Sequence, residues 1–146
     1  MSDRLEKLYK KYILEHSKAP FHEYENREAS HIIKAYNPLC GDKFTFYFDI
    51  EDGHVTRASF SGYGCSISKA SSSILTKKMT GMALEELTKL IENFLNIVSE
   101  EHPVSAGELT DDEELLAFSG ARDFPERKQC ATLGWEAVLP EIRDKE

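Results

Sequence analysis

Phe44-Thr45-Phe46-Tyr47-Phe48-Asp49-Ile50 places an apolar side chain at every second position. That period of two belongs to a strand with one buried face. Glu51-Asp52-Gly53 supplies a turn, and residues 54–60 return as a second strand ending on Ala58 and Phe60. Gly62-Tyr63-Gly64 then breaks the alternation, and a short third strand is expected there. From Cys65 the period changes. Ile67, Ala70, Ser71, Ile74 and Leu75 recur at helical spacing, with Gly81 as the stop.

Working outward, Leu5, Leu8, Tyr9, Tyr12 and Ile13 predict an amphipathic helix over residues 3–17, closed by Pro20. Residues 18–36 are polar and irregular and read as a surface loop. Downstream, Leu84, Leu87, Leu90, Ile91, Phe94, Leu95 and Val98 mark a further helix ending before Pro103. Thr110-Asp111-Asp112-Glu113 fits a capping box for a short helix over 113–118. Pro125 interrupts, and Leu133, Ala137, Val138 and Ile142 predict a last helix starting near Cys130. Helix, antiparallel strands, then helices is the order of an α+β fold. The expectation is a small three-stranded antiparallel sheet with helices packed on one face. A length of 146 residues suits a single domain over 1–146.

Charge narrows the function classes. The chain carries 18 Lys+Arg against 26 Asp+Glu, a formal net charge of −8. That balance speaks against nucleic acid as main partner and against docking on anionic membranes. Residues 1–100 hold 13 basic and 14 acidic side chains; residues 101–146 hold 5 and 12. The acidity of the last third reads as a solvated surface. No apolar run approaches the roughly 20 residues of a membrane span, and the charged N-terminus lacks a signal-peptide stretch. A cytoplasmic location is therefore expected.

In that reducing compartment three cysteines do not read as structural disulfides, and an odd number leaves one over. Inert thiol, metal ligand and reactive thiolate stay open. Cys40 lies in the loop Asn37-Pro38-Leu39-Cys40-Gly41-Asp42, Cys65 opens a helix after Gly-x-Gly, and Cys130 is expected to open the last helix. Boundary positions favour a common site over three separate core thiols. Asp42, two residues from Cys40 with Gly41 between, reads equally as a turn residue or as the fourth member of a donor set suited to tetrahedral Zn²⁺. Arg127 and Lys128 stand near enough to Cys130 to offset its charge, and helix-start amides at Cys65 and Cys130 would favour thiolates. His16, His22, His31, His54 and His102 share no spacing with the cysteines and read as surface residues. The serine-rich run 66–73 lacks a phosphate-loop ending and reads as close helix packing.

Three of these segments together are specific. Asn37-Pro38-x-Cys40-Gly41-Asp42, Gly62-x-Gly64-Cys65-x-Ile67-Ser68-x-Ala70-Ser71 and Cys130-Ala131-Thr132-Leu133 resemble the cysteine motifs of the IscU/NifU N-terminal family of iron–sulfur cluster assembly proteins. Within it the chain is similar to the SufU-type branch. The long segment between Cys65 and Cys130 holds Leu115-x-x-Phe118-Ser119-Gly120 and Phe124-Pro125-x-Arg127. Gln129 stands where the scaffold branch has His. Asp123-Phe124-Pro125-Glu126-Arg127 replaces that branch's chaperone-binding stretch, and Ala19-Pro20-Phe21 replaces the family's Asn-Pro-Arg.

The resemblance implies Zn²⁺ held by Cys40, Asp42, Cys65 and Cys130. It implies a cysteine desulfurase (SufS-type, pyridoxal phosphate-dependent) as partner, with Cys40 accepting persulfide sulfur and Arg127 assisting. Downstream cluster scaffold proteins would receive the sulfur. The alternative it allows is a scaffold in which the same residues bind iron as a [2Fe-2S] cluster. A purely structural zinc domain is a third reading.

Overall fold

The computed structural model describes residues 3–39 and 41–146. It opens on three consecutive helical stretches. These are α1 (Asp3–Leu8), a wider π-helical segment (Tyr9–Leu14) and α2 (Glu15–Lys18). Three antiparallel strands follow in the order β1 (His31–Tyr36), β2 (Lys43–Glu51) and β3 (His54–Tyr63). Then come α3 (Ser66–Met79), α4 (Leu84–Ile97), the short α5 (Ala106–Leu109) and α6 (Glu113–Leu116), a 3₁₀ turn (Ser119–Arg122) and the long α7 (Pro125–Lys145).

The central strand carries the sheet as its alternation predicts. Phe44, Phe46 and Phe48 point to one face, opposite Ala35 and Ile33 of β1 and Phe60 and Ala58 of β3. Helices α3 and α7 cover that face, and α4 packs against α7. Trp135 of α7 stacks on Phe94 of α4 with ring centroids 4.0 Å apart, and Phe118 meets Phe94 edge-on at 5.6 Å. Among the described residues, no helix is long and apolar enough to cross a membrane.

Three boundaries differ from the sequence expectation. The third strand is His31–Tyr36, inside the stretch read as a loop, and not a separate strand at 62–64, which is the end of β3. Its alternation is blurred because Ile32 and Tyr36 sit on the solvent face while His31 occupies an inner position, stacked on Phe48 at 5.1 Å. Pro125 begins the last helix instead of interrupting it. A proline at the first helical position loses no hydrogen bond, and its fixed φ suits the turn. Finally, α6 is capped by Asp112, whose side chain accepts the Glu114 N–H at 2.9 Å, and not by Thr110.

Two surface readings also change. His16 and His31 side chains are only 15% and 14% exposed. His16 bridges Ser73 Oγ and Glu114 at 2.8 Å each, and His31 reaches Glu141 at 2.9 Å. Part of the C-terminal acidity is paired as well, since Glu114 and Asp112 engage Lys77 and Lys78 of α3.

Candidate metal centre

The site forms where the sheet hands the chain to α3. Asp42 precedes β2 directly and is 2% exposed. Its Oδ1 accepts the backbone N–H of Cys65 at 3.0 Å. Cys65 caps α3 from an extended conformation, and its Sγ accepts the Ser68 N–H at 3.5 Å. The two glycines before it are required by close approach. A Cβ on Gly62 would lie 2.1 Å from the Lys43 carbonyl oxygen. One on Gly64 would lie 2.5 Å from Ser68 Oγ and 2.6 Å from Asp42 Oδ1.

Cys130 comes from the other side. It lies five residues after Pro125, inside α7 and half-buried, so the expected stabilisation by helix-start amides does not apply to it. Its position is set by contacts that the sequence reading missed. Ser71 Oγ of α3 donates to the Ala131 carbonyl at 2.5 Å and accepts the Trp135 indole N–H at 2.8 Å. This buried bridge fixes α7 on α3 one residue from Cys130. The serine run thus packs closely as expected, and its hydroxyls also make specific bonds.

The result is convergence. Side-chain donor atoms of Asp42, Cys65 and Cys130 all lie within 4.8 Å of one another. Tetrahedral zinc, with Zn–S bonds of about 2.3 Å, sets sulfur atoms about 3.8 Å apart. A contraction of roughly 1 Å therefore brings these donors into one coordination sphere. Two sulfurs and a carboxylate suit zinc and also iron. Cys40 lies outside the described residues. Its neighbours are placed: Asn37 N–H donates to the Asp42 carbonyl at 2.9 Å, Gly41 N–H to the Asn37 carbonyl at 2.8 Å, and Leu39 is 86% exposed. A shallow depression of about 540 Å³, lined by Tyr36, Gly41, Asp42, Tyr63, Gly64 and Cys65, opens the cluster to solvent.

Arg127 is not one of the three converging donors. It sits in the first turn of α7 and lines a separate apolar cleft of about 550 Å³ with Tyr9, Ile13, Phe118 and Phe124. Lys128 leans instead toward Glu100 at 3.7 Å.

A three-stranded antiparallel sheet under helices, with an Asp–Cys–Cys cluster at its end, defines a small α+β domain with a candidate metal site. The chain belongs to the NifU-like N-terminal domain family, whose model matches residues 8–144. An iron–sulfur cluster assembly scaffold protein IscU of Streptococcus pyogenes serotype M1 is 33% identical over 140 residues, covering 96% of this chain and 86% of that one. A zinc-dependent sulfurtransferase SufU of Bacillus subtilis strain 168 is 31% identical over 142 residues, covering 97% and 94%. The N-terminal part of a nitrogen-fixing NifU-like protein from Brucella abortus has the same fold. Its crystal structure gives a TM-score of 0.80 at 24% identity, over 99% of this chain and all of that one.

Proposed function

We propose that this chain is a zinc-dependent sulfur acceptor of the SufU type, a single domain that takes persulfide sulfur from a cysteine desulfurase on Cys40 for iron–sulfur cluster assembly. The observation that carries the reading is the approach of Asp42, Cys65 and Cys130 donor atoms to within 4.8 Å. Support also comes from the likeness to a protein named a zinc-dependent sulfurtransferase over nearly the whole chain. Asp42, Cys65 and Cys130 would hold the metal together with Cys40. Zinc, when bound, keeps its thiolates deprotonated and shields them from oxidation.

The chain's own residues account for the transfer. Cys40 stands in sequence between exposed Leu39 and Gly41. Its thiolate attacks the terminal sulfur of the partner's persulfide. The partner's S–S bond breaks, its cysteine leaves as thiolate, and Cys40 carries the persulfide. Arg127, exposed in the first turn of α7, offers a guanidinium to an acidic group on the partner. Pyridoxal phosphate chemistry belongs to the desulfurase.

Cys40→Ala is expected to keep the fold and to abolish stimulation of the desulfurase. Alkylation and mass measurement after one turnover should find the extra sulfur on Cys40 of the wild type. A variant that speeds cysteine turnover like wild type defeats the acceptor assignment. A second reading, a scaffold binding a [2Fe-2S] cluster through the same residues, is favoured by the likeness to a protein named a scaffold. Metal content after anaerobic purification separates the two. One colourless zinc per chain supports sulfur acceptance; brown protein with iron and sulfide supports the scaffold.

A further inference from the structure

Cys65 is exposed, so packing does not hold its side chain in one direction. What addresses its sulfur is Ser68, one turn further along α3 and 1% exposed. Ser68 N–H donates to Cys65 Sγ at 3.5 Å, and Ser68 Oγ lies 3.5 Å from the same sulfur. The hydroxyl also reaches the Cys65 carbonyl at 3.0 Å, but that carbonyl already accepts the Lys69 N–H at 3.0 Å. Its satisfaction does not depend on Ser68. The hydroxyl therefore has two acceptors within reach and can turn to the sulfur when the sulfur carries charge. Ser68 Oγ and Asp42 Oδ1 meet at Gly64, 2.5 and 2.6 Å from the point where a Cβ would sit. The residue thus lies beneath the Asp42–Cys65 donor pair.

We infer that Ser68 is a positioning residue of the metal centre, holding the Cys65 sulfur toward Asp42 and Cys130 through its N–H and its hydroxyl. The inference rests on the metal reading above and adds an assignment to it. Hydrogen bonds to a ligand atom orient it and tune its donor strength, and their loss typically weakens metal binding by 10–100-fold. The N–H contact survives substitution by alanine or threonine, so the hydroxyl share should lie near the lower end of that range.

The test uses the full chain, loaded in turn with zinc and with cobalt(II). Ser68→Ala should surrender zinc to a competing chelator at about tenfold lower chelator concentration than wild type. Its thiolate-to-cobalt absorption should shift, and Ser68→Thr, which keeps the hydroxyl, should restore both. A purely structural hydroxyl would leave the cobalt spectrum unmoved. Ser68→Ala matching wild type in competition curve and spectrum, while wild type holds zinc, overturns this inference alone. Wild type that holds neither metal overturns the metal reading and this inference with it. Should Ser68→Ala unfold, Ser68→Thr decides: wild-type cobalt absorption supports the role, and its loss overturns it.

Discussion

Asp42 shows how much one side chain contributes at this site. Its buried carboxylate is a candidate donor atom and also the acceptor for the Cys65 N–H at 3.0 Å. The two roles separate by substitution. Asp42→Asn keeps an oxygen for the N–H and removes the anionic donor. It should stay folded yet release zinc to a chelator at a concentration at least about tenfold below wild type, since even the loss of a ligand's outer-shell partner costs about that much. Asp42→Ala removes both, and should lose about 1 kcal/mol of stability in addition. An unchanged zinc competition curve for Asp42→Asn would count against the carboxylate as a ligand. The approach of Asp42 to Cys65 and Cys130 was legible in the sequence through the order of the three cysteine motifs. Ser68 was not. A serine three residues into a helix is commonplace, and only the sulfur lying 3.5 Å from its hydroxyl gives it meaning.

At the scale of elements, the junction of α3, α7 and β2 decides whether the cysteines can meet. Ser71, Trp135 and Ala131 form one buried polar bridge between the helices. Ser71→Ala would strand the buried Trp135 indole N–H, while the Ala131 carbonyl keeps its partner within α7. A loss of about 1–3 kcal/mol is expected, read from denaturant midpoints, together with weaker zinc retention as α7 loosens beside Cys130. Gly134 lets α7 lie close on β2, since a Cβ there would lie 2.4 Å from the Phe46 ring. Gly134→Ala should cost about 1–3 kcal/mol by overpacking, although alanine is the better helix former. A neutral or stabilised Gly134→Ala would show that the aromatic row of β2 yields easily.

The strands and helices differ in how plainly their residues announce them. β2 was plain because only one of its faces is apolar. β1 was hidden because His31 faces inward while Ile32 and Tyr36 face outward. The start of α7 was misplaced because Pro125 serves equally as a breaker and as a first helical residue, and local sequence does not choose between them.

For the molecule as a whole, the N-terminal helix is tied to the rest by a charged cluster. Glu114 of α6 faces His16 from α2 and Lys77 and Lys78 from α3, with Asp112 sharing Lys78. The hydrogen bond from His16 does most to hold the Glu114 carboxyl low. Burial opposes it, and the two lysines add to the lowering, for a value of about 2 against an ordinary 4.5. A carboxyl whose folded pKa is depressed stabilises the fold fully above its unfolded value. That contribution declines as pH falls below about 4.5 and is gone below about 2. Solvent reaches the lysine side of the cluster, so the contribution is on the order of 1–2 kcal/mol. Glu114→Gln should therefore be less stable than wild type by about that much at pH 7. The two stability curves should converge toward pH 2, since protonated Glu114 and glutamine are then alike in charge. Urea midpoints at pH 7, 4 and 2.5 measure this directly, and a gap that stays constant across that range would remove Glu114 as the source of the acid limb. Because this cluster grips α3 through Lys77 and Lys78, about three and a half turns beyond Cys65, zinc retention in Glu114→Gln at pH 7 also asks whether the far end of that helix matters to the metal centre. The polar bridge at Ser71 lies between the two and is untouched by the substitution, so zinc retention should stay at the wild-type level.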